Sequence, residues 1–111
     1  MTGPVDTETL SMLKEVMEDD FSELITTFLD DASSRVGQLP SLLEQGDAKA
    51  LRLCAHSLKG SSSNLGAIVF AELCFEIESR ANDNQLEEIE GYIERIEQEF
   101  LRVKSALEKL L

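Results

Sequence analysis

The only histidine of the chain, His56, stands in the run Ala55-His56-Ser57-Leu58-Lys59-Gly60, with a lysine three residues later and a glycine four residues later. In a helix those two positions lie one turn on and on the same face as the imidazole. Helical side chains lean toward the N-terminus, so Lys59 leans back toward the ring, while Gly60 has no side chain to cover it. A helical glycine costs about 1 kcal/mol relative to alanine, so its presence here is better explained by a need for close approach than by helix formation. An open imidazole beside an ammonium suits nucleophilic catalysis. A neutral ring nitrogen can accept a phosphoryl group, and the neighbouring cation can screen the added negative charge.

Other chemistries lack their parts. A metal site needs further ligands, and no second histidine and no carboxylate at the third or fourth following position share this face. Ser57, Ser61, Ser62 and Ser63 are near in sequence, but no acid oriented toward His56 is evident and no GxSxG elbow exists. Cys54 and Cys74, twenty residues apart in apolar helical surroundings without CxxC spacing, read as buried thiols rather than a disulfide or zinc site. A lone helical histidine is ordinarily a surface residue or a satisfied core residue; the Lys59 and Gly60 pair favours a site instead.

With His56 taken as zero and about 100° added per residue, Lys49, Arg52, Leu53, Lys59, Gly60 and Ser63 fall within about 60° of it. None of these is acidic. Asp47, Leu51, Cys54, Leu58, Ser62 and Leu65 fall on the opposite side, which is the expected core face. Residues 47 to 66 hold three basic side chains and one acidic, a local +2 within a total of −12, which leaves −14 for the other 91 residues. Lys49, Arg52 and Lys59 thus form a basic stripe suited to an anionic group, and Leu53 offers a partner an apolar contact on the same face.

The elements that must position this face read as helices separated by short breaks. Asp6 can cap a short first helix carrying Leu10, Leu13 and Met17 on one side, lying across the rest as a lid. A second starts at Asp19 or Asp20, where Asp20 and Glu23 have capping-box spacing, and its apolar positions Phe21, Ile25, Phe28, Ala32, Val36, Leu39 and Leu43 step by three or four. Gly37 and Pro40 do not disturb that phase, so a kink is expected there and not a stop. Gly46 ends this helix and Asp47 caps the third, which runs to about Ser63, with Asn64 and Gly66 as the break. The fourth, Ala67 to about Ala81, should bury Val69, Phe70, Leu73, Cys74 and Ile77, and Asn82, Asp83 and Asn84 form the next turn. In the fifth, Leu86, Ile89, Ile93, Ile96, Phe100, Val103, Leu107 and Leu110 alternate spacings of three and four, the pattern of a bundle seam. A homodimeric coiled coil would share that stripe, but four amphipathic helices on short connections more often bury their stripes against one another, so a monomeric bundle is expected.

Composition agrees and excludes much else. A chain of 111 residues fits one domain, here residues 1–111, and leaves no room for a kinase or NTPase domain. Net charge −12 with no basic run disfavours DNA, RNA and anionic lipid. No apolar run approaches the roughly 18 residues that cross a bilayer and no signal-peptide pattern opens the chain, so a cytoplasmic protein is expected. Met1 and the final helix at Leu111 favour a free-standing chain.

The run Ala55 to Ala67, AHSLKGSSSNLGA, resembles the signature of histidine-containing phosphotransfer (HPt) domains, with A-H-x-L-K-G followed by N-x-G-A. The FLDD segment Phe28 to Asp31 and the pair Gly46-Asp47 are also similar to this family, and the likeness extends from about Leu10 to the last helix. The resemblance implies an all-α fold, an antiparallel up-down four-helix bundle with a short N-terminal covering helix. It implies that His56 is phosphorylated at Nε2, that Lys59 stabilises the phosphoryl group, that Gly60 leaves room for the partner and that Gly66 permits the turn. Asn64 and Ser63 match the motif too, though a helix-ending turn explains both equally well. The implied role is a phosphorelay carrier between receiver-domain aspartates of a hybrid sensor kinase and a response regulator. Such a carrier has no kinase activity of its own and binds no cofactor; Mg²⁺ and the aspartate belong to the partner receiver. A histidine-kinase dimerisation domain would carry an acidic residue after the histidine and a Thr-Pro pair, where this chain has Ser57 and no nearby proline.

Two further readings stand beside the phosphocarrier. One is a non-catalytic helical adaptor that binds a receiver domain through the His56 and Leu53 face. The other is a structural helical bundle with no site.

Overall fold

The computed structural model describes residues 3–111 and is all-helical there. Its elements are α1 (Thr7–Met17), α2 (Asp20–Glu44), α3 (Ala48–Asn64), α4 (Ile68–Asn82) and α5 (Ile89–Glu108). Met1, on which the expectation of a free-standing chain rests, lies outside the described residues. Each of the four longer helices touches two of the other three: α3 packs on α2 and α4, and α5 on α2 and α4; α1 packs on α2 alone. This closed circuit follows from the phase of the apolar residues. Phe21, Ile25, Phe28, Ala32, Val36 and Leu39 of α2 are buried, as are Leu51, Cys54, Leu58 and Ser62 of α3 and Ile89, Ile93, Ile96, Phe100, Val103 and Leu107 of α5. They join Phe70, Cys74 and Ile77 of α4 in one core, in which each large aliphatic or aromatic side chain contributes about 1.5–3 kcal/mol. Both cysteines are free and buried, and burial pushes the Cys74 thiol up to about 12, so it is inert at neutral pH.

The helix ends depart from expectation in two places. Asp20 is the first residue of α2 and not its cap; Asp19 occupies that position in a helical conformation with no side-chain cap bond, so the Asp20–Glu23 capping box does not form. The preceding residue, Glu18, takes φ +50° and turns the chain within two residues, leaving no extended residue from which a side chain could reach the first amides. Val69 is exposed on the first turn of α4, and Ala71 and Ala81 take buried positions there. Leu73 is only half-buried, and Leu86, expected within the fifth helix, lies in the turn before α5, half-buried against the core, because the α4–α5 connection runs on to Glu88 before the helix starts at Ile89. Asp6 and Asp47 accept hydrogen bonds from the first-turn amides of α1 and α3, and α2 runs through Pro40 without a stop.

Two glycines with different duties lie near the site. Gly66 follows α3 with φ +74°, and a Cβ there would lie 2.7 Å from the Cβ of Asp6. That close approach allows the Asp6 N–H to donate to the Gly66 carbonyl at 2.9 Å, tying the start of α1 to the α3–α4 turn. Gly60 has open space where a Cβ would stand. Gly66→Ala should therefore lose about 1–3 kcal/mol in urea denaturation, while Gly60→Ala should gain up to about 1 kcal/mol; equal effects of the two would contradict this division.

Candidate functional site

Because α3 and α4 are joined by a three-residue turn and share the most extensive helix contact in the fold, residues placed symmetrically about residue 67, the last of that turn, face each other. His56 thereby meets Glu78, and Lys59 meets Phe75; each pair is centred on residue 67. The imidazole Nδ1 lies 2.7 Å from Glu78 Oε2, and the Lys59 ammonium 2.7 Å from Glu78 Oε1. The same ammonium sits over the Phe75 ring, 5.3 Å from its centre. Exposure falls steeply across the group, from 62% for the His56 side chain to 30% for Lys59 and 18% for Glu78.

The proton positions follow from the carboxylate. Burial pushes the Glu78 carboxyl up, but the hydrogen bonds and charges of Lys59 and His56 outweigh it and hold the group below its ordinary value. Glu78 is then ionised at neutral pH and can only accept, so Nδ1 must carry the proton. In the neutral ring this leaves the lone pair on Nε2, the nitrogen turned away from the carboxylate. One turn on from His56 the surface is open, since nothing lies within 4 Å of a Cβ built on Gly60.

Lys49, Leu53 and Ser63 are exposed on the same helix as His56, and Arg52 is half-buried there. Asn64 is the last residue of α3, and Gly66 makes the turn. Among the described residues Lys49 and Arg52 enter no ion pair, whereas Lys59 is already paired with Glu78, so the stripe is less uniformly basic at its His56 end than the composition of α3 indicates. The absence of an oriented acid was also an incorrect expectation, because Glu78 comes from α4, 22 residues away. That acid does not create a hydrolase triad: Ser61 and Ser62 donate to backbone carbonyls of their own helix. Among the described residues no three His, Cys, Asp or Glu side chains come together as a metal-holding group.

A solvent-facing imidazole, oriented by a carboxylate and flanked by an ammonium, has the chemistry to accept a small electrophilic group on its outer nitrogen. The Hpt domain model matches residues 23–110, and the chain belongs to the Hpt domain family. It is 30% identical to histidine-containing phosphotransfer protein 1 of Arabidopsis thaliana, over 99% of this chain and 75% of that protein. Among solved structures it is similar to histidine-containing phosphotransfer protein B (HptB) from Pseudomonas aeruginosa PAO1, with 39% identity, TM-score 0.93 and coverage of 98% of this chain and 95% of that one. The maize histidine-containing phosphotransfer protein ZmHP2 superposes with TM-score 0.84 at 26% identity, covering 97% and 89%.

The bridge has a pH signature. Glu78 titrates below its ordinary value of 4.5 in the folded state, so its contribution to stability is fully present above that value and is lost as pH falls through the lower folded one. Thermal melts at stepped pH should show a shallower acid limb for Glu78→Gln than for the native protein below pH 4.5. An identical acid limb would mean that the bridge contributes nothing in solution.

Proposed function

We propose that His56 carries the phosphoryl group on Nε2 and that Glu78 holds the proton on Nδ1 throughout the transfer. Membership of the Hpt family makes the chain a histidine phosphotransfer protein of a two-component phosphorelay. The observation that supports the residue assignment is the exposed ring whose inner nitrogen alone is tied to a carboxylate. The partners are receiver domains, one on a hybrid histidine kinase and one on a response regulator, and the chain is a carrier without kinase activity.

The transfer balances without moving a proton. The Nε2 lone pair forms a bond to phosphorus as the acyl-phosphate O–P bond of the receiver aspartate breaks, and the aspartate leaves as a carboxylate. The ring keeps its Nδ1 proton and gains a positive charge, which the Glu78 carboxylate offsets from 2.7 Å. In the reverse direction the ring departs as a neutral imidazole. Phosphoryl transfer has a loose transition state that asks mainly for positioning and charge stabilisation. Lys59 supplies a cation to the phosphoryl oxygens, and Gly60 lets the receiver come close. Mg²⁺ bound by the partner receiver would supply further charge neutralisation, and no residue of this chain holds it in the proposed transfer. Lys49, Arg52, Leu53 and Ser63 form the docking surface, with Asn64 and Gly66 ending the helix that carries it.

The finer architecture belongs to the same reading. The four longer helices form an antiparallel up-down bundle and α1 covers it, as one domain over residues 1–111, monomeric and cytoplasmic. No helix among the described residues is long and apolar enough to cross a membrane.

Incubation with a phosphorylated receiver domain should give an acid-labile, alkali-stable label on the native protein and none on His56→Gln. Lys59→Ala should transfer about ten-fold more slowly or worse, the scale of one charge-assisted hydrogen bond, with little change in receiver affinity. Gly60→Gln should fold normally yet block transfer. Label persisting in His56→Gln would refute the assignment, and native signalling by that variant would favour an adaptor instead.

A further inference from the structure

Phe75 is a large aromatic side chain left 51% exposed in the middle of α4, where core packing gives it no reason to be. Its ring lies one turn before Glu78 on the same helix, and the Lys59 ammonium is over it at 5.3 Å while touching Glu78 Oε1 at 2.7 Å. The ammonium is therefore held from two sides, by a charge on one and by the negative face of a ring on the other. These two holds differ in what phosphorylation does to them. Once Nε2 is loaded, Glu78 must offset a ring that has become positive, and the phosphoryl oxygens compete with Oε1 for Lys59. The aromatic hold is unaffected, because it involves neither the ring charge nor a carboxylate oxygen.

Resting on the assignment of His56 as the carrier, we propose that Phe75 is a positioning residue for the transfer: its ring keeps the Lys59 ammonium at the edge of the site, so that Lys59 exchanges Glu78 Oε1 for a phosphoryl oxygen without being released to solvent. A surface lysine otherwise samples many rotamers, and fixing it in the transition state costs side-chain entropy. Pre-holding the ammonium removes part of that cost where it matters for rate and leaves receiver docking unchanged.

Replacing Phe75 by leucine keeps an apolar side chain of similar reach and removes the ring. Transfer from a phosphorylated receiver to Phe75→Leu should show kcat about two- to five-fold lower at unchanged KM, the scale of one exposed cation–π contact, and Phe75→Tyr should restore the native rate. In the Lys59→Ala background Phe75→Leu should have no further effect on kcat. In NMR spectra of the unphosphorylated protein, the Lys59 Cε protons should lose their ring-current shift in Phe75→Leu and keep it in Phe75→Tyr. A raised KM at native kcat would make Phe75 a docking residue only and overturn the proposal, as would equal effects of Phe75→Leu with and without Lys59. If the native protein takes no label at all, the carrier assignment itself has failed; the Lys59 proton shifts still test the aromatic hold independently.

Discussion

The site depends on one carboxylate shared between two helices. Glu78 receives the imidazole of His56 through one oxygen and the ammonium of Lys59 through the other, each at 2.7 Å. A carboxylate has two oxygens and a fixed span, so this single group sets the ring orientation, the tautomer and the position of the cation together. Largely shielded from water and held ionised, it cannot act as a donor, and that fixes where the nucleophilic lone pair lies. In the proposed transfer the outer nitrogen is free to act as nucleophile because the inner one is committed to Glu78.

That commitment requires α3 and α4 to stay in register to within an ångström or so, and the fold holds their shared core, the turn between them and the far end of α4. Leu51, Cys54 and Leu58 of α3 share the core with Phe70, Cys74 and Ile77 of α4. At the turn, Gly66 lets the backbone before α1 lie against the loop and donate Asp6 N–H to its carbonyl. At the far end of α4, Arg80 stacks on Tyr92 of α5 at 4.5 Å and pairs with Glu76 and Glu88. Glu78 lies between that clamp and the core. Interiors packed this closely transmit little slack, so a carboxylate at the seam between two helices can act as a rigid part of the site.

Most of the fold and half of the candidate site are legible in the sequence. The three- and four-residue steps of α2 and α5 identify their buried faces residue by residue, because helical phase depends only on spacing. His56, Lys59 and Gly60 were legible for the same reason, being one turn apart on one helix. The failures are of two kinds. The capping box at Asp20 and Glu23 depended on backbone angles before the helix, which Glu18 at φ +50° decides, and Val69 lies at the rim of α4, where burial depends on what packs beside it. Glu78 and Phe75 were missed because they come from another helix. A signal was available for both: folding α3 onto α4 about residue 67 places 56 opposite 78 and 59 opposite 75, a register that a short connection between two amphipathic helices already implies.

The central claim is that His56 exchanges phosphate through Nε2 while Nδ1 stays protonated against Glu78. Nitrogen and phosphorus NMR of the phosphorylated protein, with its one histidine labelled with nitrogen-15, tests this directly. A one-bond nitrogen–phosphorus coupling on Nε2, together with a proton on Nδ1 that is lost or broadened in Glu78→Ala, is the predicted result. Coupling to Nδ1, or an unprotonated Nδ1 in the phosphorylated protein, would contradict the account.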